Sequence, residues 1–192
     1  MTASETKVVV EYPAWVRTLD WAQPYTTDTA RIALAVELSR RNVDEQTGGP
    51  FGAAIFDEDS GLLLSVGMNL VVPRHNSTLH AEMIAFQVAQ ARLGSHSLAS
   101  GGRRAALFTS CEPCAMCFGA TLWSGVRRLV AAATADDARA IGFDEGPVFE
   151  ASWQYLEDRG LRTERGVMRA EAKAVLDAYA RRGGLIYNGG TP

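Results

Sequence analysis

Two apolar runs, A-A-L-F-T at residues 105–109 and L-V-A-A-A at residues 129–133, bracket a stretch that reads as one helix, with Pro113 at its first position and its end near Trp123. Runs this short and this apolar suit strands covered on both faces. The alternation extends in both directions. Leu79–Leu93 has helical period, with Met83, Ile84, Phe86, Val88 and Leu93 forming an apolar face. A short helix over Ala135–Ile141, a weak strand near Leu161–Glu164 and an amphipathic helix from Met168 to Arg182 follow. Strands alternating with crossover helices place helices on both faces of one sheet.

Upstream, D-T-A-R-I-A-L-A-V-E-L-S-R-R suits a helix capped by Thr26 or Thr27, and Gly48-Gly49-Pro50 ends that region. P-F-G-A-A-I-F and L-L-L-S-V-G-M flank D-E-D-S-G, a hairpin pattern. Residues 1–24 form a mixed lead-in with Tyr12, Trp15 and Trp21, interrupted by prolines at 13 and 24. At 192 residues, 47% hydrophobic and 21% charged, the chain is expected to form one domain. A net charge of −3 supplies no positive field for phosphates or anionic lipid. The arginine pairs 40–41, 103–104, 127–128 and 181–182 are expected at solvated element ends. No apolar run is long enough to cross a bilayer, and M-T-A-S-E-T-K lacks the basic and apolar parts of a secretion signal, so a cytoplasmic location is expected.

All three cysteines lie in S-C-E-P-C-A-M-C, residues 110–117. An odd, clustered set argues against a disulfide framework and for metal or redox chemistry. Cys114 and Cys117 are three apart at a helix start, so they face one way, and the helix dipole favours their thiolates. That pair alone also fits a redox couple or a structural zinc site. His80-Ala81-Glu82, at the start of the preceding helix, adds an imidazole that completes a His/Cys/Cys zinc set with the fourth position open to water. Glu82 is angled away from His80 and suits a neighbour that moves that water's proton rather than a second ligand. With Cys111 as a fourth ligand the site would close into a structural-zinc binding module. Cys111 lies outside the helix, however, and a closed site has no use for Glu82. An iron–sulfur cradle would need a fourth cysteine. His75 and His96 sit in loop-like sequence and read as solvated.

H-A-E followed about thirty residues later by P-C-x-x-C, with the hairpin P-F-G-A-A-I-F…G-M-N before it, resembles the cytidine deaminase-like superfamily of zinc nucleobase deaminases over roughly residues 50 to 145. The resemblance implies a three-layer α/β/α sandwich with a mixed sheet of about five strands. It also implies one Zn2+ per subunit on His80, Cys114 and Cys117, Glu82 as acid/base, and a homodimer. Asn69 matches a position whose amide holds the base edge, and Phe51 one whose ring packs on the base, although a core role suits Phe51 equally.

S-C-E-P-C-A-M-C-F-G-A-T-L-W-S-G-V with A-I-G-F-D-E is similar to bacterial guanine deaminases. That similarity implies that Asp144 and Glu145 approach the substrate, Glu145 passing a second proton, though the pair also fits a solvated turn. It further implies that the tail 183–192 closes over a site, its own or a neighbour's, with Tyr187 as the lid residue. The expected reaction is guanine to xanthine plus ammonia, with aminotriazines such as ammeline as related substrates. Nucleosides and transfer-RNA adenosine are the alternatives. Net acidity and the lack of a basic cluster after the cysteines weigh against RNA.

Overall fold

The computed structural model of the chain describes residues 9–189. Helix α1 (Asp28–Asp44) begins at Thr27, whose hydroxyl accepts the Ala30 amide. After it come β1 (Gly52–Asp57), β2 (Leu63–Met68), α2 (Ala81–Leu93), β3 (Ala105–Cys111), α3 (Ala115–Ser124), β4 (Arg128–Ala133), α4 (Ala135–Ala140), α5 (Glu150–Glu157), β5 (Arg162–Arg165) and α6 (Arg169–Arg181). The strands form one sheet in the order β2-β1-β3-β4-β5. β1 runs antiparallel to both of its neighbours, while β3–β4 and β4–β5 are parallel. The sheet is therefore mixed and five-stranded.

Alternation along the central strands divides the core in two. Ala54, Phe56, Ala106, Phe108 and Val130 pack with Ile32 and Leu38 of α1 and Leu176 of α6. Their neighbours Ala53, Ile55, Ala105, Leu107 and Leu129 pack on the other face with Ala81, Ala85 and Ala89 of α2, Phe118 of α3 and Trp153 of α5. Every residue of β1, β3 and β4 is buried, which requires helices on both faces. The result is a three-layer α/β/α sandwich.

The alanine face of α2 lets that helix lie against β2 at backbone distance. A Cβ at Gly67 would fall 1.8 Å from the Ala81 carbonyl oxygen. Any larger residue at position 67 would push the first turn of α2, and with it His80 and Glu82, off the sheet.

Two expectations are corrected, and one helix lies where none was expected. Helix α3 starts at Ala115 with Cys114 in the cap position, so Pro113 lies outside the helix rather than at its first turn. Helix α5 was not legible because only Trp153 and Leu156 of its eight residues are buried, too few to show a period. Arg128 is not solvated: it donates to Asp28 and Glu164 and lies 5.7 Å from the Phe108 ring centroid. It opens β4 between the start of α1 and the edge strand β5, both of which present carboxylates.

The described part of the lead-in packs on the body. Trp15 and Val16 are buried, Tyr12 Oη donates to the Val66 carbonyl at 2.5 Å, and Arg41 and Arg92 lie 4.7 and 4.4 Å over the rings of Trp15 and Trp21. At the other end the chain leaves α6 and folds back, Tyr179 Oη donating to the Leu185 carbonyl at 2.8 Å. The remainders of the lead-in (1–8) and the tail (190–192) lie outside the described residues. Among the described residues no helix is long and apolar enough to cross a membrane.

Candidate active site

Helices α2 and α3 begin at the same place. His80 is the cap residue of α2, Cys114 the cap residue of α3, and Cys117 sits one turn into α3. Their three donor atoms lie within 4.8 Å of one another. Cys114 Sγ is 3.5 Å from His80 Nδ1. A tetrahedral ion with ordinary zinc–sulfur and zinc–nitrogen bonds would hold the two about 3.6 Å apart. One imidazole and two sulfurs at this spacing fit zinc.

The electrostatics agree. A hydrogen bond from Cys117, with His80 adding to it, lowers the Cys114 thiol to about 4. Giving that bond, together with burial, raises Cys117. A dication bound by both sulfurs would take the place of the remaining proton. Burial pulls the His80 imidazole down, but the hydrogen bond and charge of Cys114 outweigh it and the net direction is up. The two helix starts add to the field that favours anions here, the Cys117 amide reaching the Cys114 sulfur directly.

Cys111 is absent from this group. It is the last residue of β3, belongs to the core on the α1/α6 face, and its thiol points to the Thr134 carbonyl at 3.5 Å. Burial pushes its pKa well up. It is therefore a strand residue rather than part of the strand-to-helix turn. His75 and His96 are exposed, as expected.

Glu82 lies in the first turn of α2, is 6% exposed, and accepts a hydrogen bond at 3.0 Å from Thr109 Oγ1 of β3. Burial, then the charge of Cys114, raises its pKa. Glu145 is also 6% exposed, and burial with the charges of Cys114 and Glu82 pushes it up to about 8. Its carbonyl accepts the Ala115 amide at 2.9 Å, tying this loop to the first turn of α3. Asp144, its neighbour, is exposed and accepts the Gly146 amide, so the acidic pair divides into one inward and one outward carboxyl.

Asn69 follows β2, is 1% exposed, and donates from Nδ2 to Tyr187 Oη. Phe51 precedes β1 and meets Phe143 edge-on with ring centroids 5.0 Å apart. It touches both core faces as well as the pocket. Tyr187 lies 6.1 Å from the His80 ring and 5.5 Å from Phe143, and Asn188 Oδ1 accepts the Asp144 amide at 2.8 Å. The structure thus brings all nine sequence-selected residues to one place.

With Tyr187 in it the pocket has a cavity of about 40 Å³, room for a few waters. Two lining residues escaped the sequence reading, Phe143 and Glu112. Phe143 stands beside the acidic pair in G-F-D-E, an aromatic-plus-acid cue that was available. Glu112 accepts from Arg165 Nε at 2.6 Å and from the Ala135 amide at 2.9 Å, a clamp on α4 that sequence does not advertise.

Among curated proteins, the guanine deaminase of Bacillus subtilis (strain 168) is 36% identical over 125 residues, 65% of this chain and 76% of its own. Among solved structures, a guanine deaminase from Nitrosomonas europaea superposes with a TM-score of 0.86 at 44% identity, covering 91% of this chain and 97% of that one. NE0047 in complex with 2,6-diaminopurine superposes with a TM-score of 0.87 at 45% identity, covering 94% and 96%. Residues 25–133 match the family described as the cytidine and deoxycytidylate deaminase zinc-binding region. Because that match takes in both helix starts, it carries the assignment beyond fold: the chain belongs to the zinc-binding cytidine and deoxycytidylate deaminase family, hydrolases of C–N bonds in cyclic amidines.

Proposed function

We propose that the chain deaminates a free purine base, converting guanine and water to xanthine and ammonia, with aminotriazines such as ammeline as secondary substrates. One zinc per subunit would sit on His80, Cys114 and Cys117. The observation that carries the reading is a pair of buried carboxyl groups, Glu82 and Glu145, both raised in pKa and facing one pocket with the Asn69 amide. The likeness to guanine deaminases supports the choice of base.

Zinc, when bound, supplies a Lewis acid that lowers the pKa of water to about 7. Glu82, held by Thr109, takes a proton and returns it to a ring nitrogen of the base. Glu145, whose carboxyl burial pushes up to about 8, gives a second proton to the exocyclic amine as ammonia departs and regains one from the hydroxyl that becomes the new carbonyl. Asn69 meets the polar edge of the base, and Phe51 and Phe143 pack on its ring. Tyr187 occupies this space, so entry of a base requires the tail to lift, which gives the tail the part of a lid.

The described body is read as one deaminase domain, with the lead-in and the tail as its appendages, acting in the cytoplasm. It is read as a homodimer whose contact face carries Trp123, Phe149 and Tyr155, which are 79%, 67% and 46% exposed beside α3 and α5. Exchange of tails between partners is compatible with a tail anchored by a few contacts.

The test is ammonia release from zinc-loaded protein across guanine, adenine, cytosine, their nucleosides, ammeline and a transfer RNA. Guanine is expected to be turned over fastest, and preference for a nucleoside or RNA would refute the reading. Glu82→Gln is expected to lose at least 100-fold in kcat while keeping its zinc. Undiminished turnover in that variant would remove the mechanism.

A further inference from the structure

Asn42 is fully buried in the last turn of α1, more than one element away from the acids and the metal donors. Nothing in the chemistry above uses it, yet its side chain is fully engaged. Nδ2 donates to the Gly49 carbonyl at 2.8 Å and to the Asn69 carbonyl at 2.9 Å. Oδ1 accepts the Thr47 hydroxyl at 2.8 Å. Two carbonyls on one side and a hydroxyl on the other fix which end of the amide is NH2. The Asn42 carbonyl accepts the amides of Thr47 and Gly48, so side chain and backbone together hold the loop that leads to Pro50 and Phe51.

That loop wraps Asn69. The Gly49 amide donates to the Asn69 carbonyl at 3.1 Å, and the Asn69 amide donates to the Phe51 carbonyl at 3.0 Å. The fit leaves no slack: a Cβ at Gly48 would lie 2.0 Å from the Asn69 carbonyl oxygen, and one at Gly49 would lie 2.9 Å from Asn69 Oδ1. On the far side the Trp15 indole donates to Thr47 Oγ1 at 3.1 Å, with Arg41 lying over its ring. A continuous line of hydrogen bonds therefore runs from the aromatic lead-in through Thr47 and Asn42 to the backbone of Asn69.

We infer that Asn42 is a positioning residue for base recognition, fixing the backbone from which Asn69 presents its amide, and that Thr47 and Trp15 brace it from the lead-in. The inference rests on the reading of Asn69 as the base-edge residue. It gives Trp15 of the lead-in a part in substrate affinity. Placement errors of a fraction of an ångström at such a group weaken binding without altering the proton-moving acids.

The experiment is a double-mutant cycle on zinc-loaded enzyme with guanine. Asn42→Asp keeps the size and removes both N–H donors, leaving a carboxylate against two carbonyls. It is expected to raise KM at least tenfold, with kcat changed less than threefold and zinc content unchanged. In an Asn69→Ala background the same substitution is expected to change KM less than twofold. Equal KM changes in both backgrounds would mark Asn42 as a merely structural residue and overturn the proposal. Should Asn42→Asp fail to fold, Thr47→Val removes only the hydroxyl that Asn42 accepts. A twofold to fivefold rise in KM, absent in the Asn69→Ala background, is expected there, and no rise overturns the proposal. If Asn69→Ala alone leaves KM unchanged, the base-edge reading falls and takes this inference with it. A KM rise in Asn69→Ala with none in the Asn42 and Thr47 variants overturns the positioning role alone.

Discussion

On the proposed reading the pocket has a metal end and a recognition end, and the two are assembled in opposite ways. At the metal end three donors sit on the starts of two helices, and α2 is pressed on the sheet at backbone distance through Gly67. Its geometry is a property of elements. At the recognition end Phe51, Asn69 and Phe143 come from three separate connections and Tyr187 from the tail, and the bond between Asn69 and Tyr187 joins residues 118 apart in sequence. Its geometry is a property of loops tied together by hydrogen bonds. Substitutions of the metal donors should be all-or-none, and those at the second end graded.

The largest test of this contrast is Cys114→Ser, which should lose zinc and at least 1000-fold of activity, while Cys111→Ser keeps both. Metal content of the two purified variants decides it, and equal loss would make the three cysteines one unit after all. Next comes Thr109→Val, which removes the donor to Glu82 Oε1 without touching a metal donor. It should lower kcat about tenfold at unchanged zinc content and nearly unchanged KM, since the acid is still present but less well held. A change in KM alone would place Thr109 with the recognition end.

Tyr187→Phe removes the hydroxyl that Asn69 meets and keeps the ring. A KM change of twofold to fivefold is expected, together with faster proteolytic nicking of the tail. An unaltered tail would show that the ring and the contacts of Leu185 and Asn188 anchor it without the hydroxyl.

The smallest effect lies outside the pocket, at α4. Arg169, with the Thr134 amide adding to it, holds the Asp137 carboxyl below the usual range. A folded-state pKa depressed below the unfolded value of about 3.9 gives stability that is present above that value and lost as pH falls through the folded one. The urea midpoint should therefore begin to drop below about pH 5 and keep falling below pH 3, and Arg169→Gln should make that drop shallower. An identical drop in the variant would assign acid sensitivity elsewhere, for example to Asp28, which Arg128 also holds low.

The same contrast explains what the sequence disclosed. The strands, the hairpin and the helices with a full apolar face could be read because each carries its own period. His80, Glu82, Cys114 and Cys117 could be read because their spacing is local to two helix starts. Asn69, Phe51, Asp144, Glu145 and Tyr187 needed a family resemblance to be found, since nothing in their immediate neighbours marks them. The resemblance gave Glu145 the proton-passing part and Asp144 a contact with substrate, but it left a solvated turn open for both, and burial divides them, Glu145 lying inside and Asp144 outside. Asn42 and Arg128 were invisible: a polar residue near a helix end and one of a pair of arginines both look solvated until distant carboxylates or carbonyls close around them.

The contact between Asn69 and Tyr187 also bears on the thermodynamics of entry. If a base displaces the phenol, the amide trades one partner for another, and the count of hydrogen bonds at that atom stays level. The Nδ2 bond then adds little net affinity of its own, but a base edge that Asn69 fails to meet is left unpaired, so loss or misplacement of the amide still raises KM. On the proposed reading most of the remaining binding free energy would come from the flat faces of the ring against Phe51 and Phe143, and its signature would be a negative heat-capacity change on association.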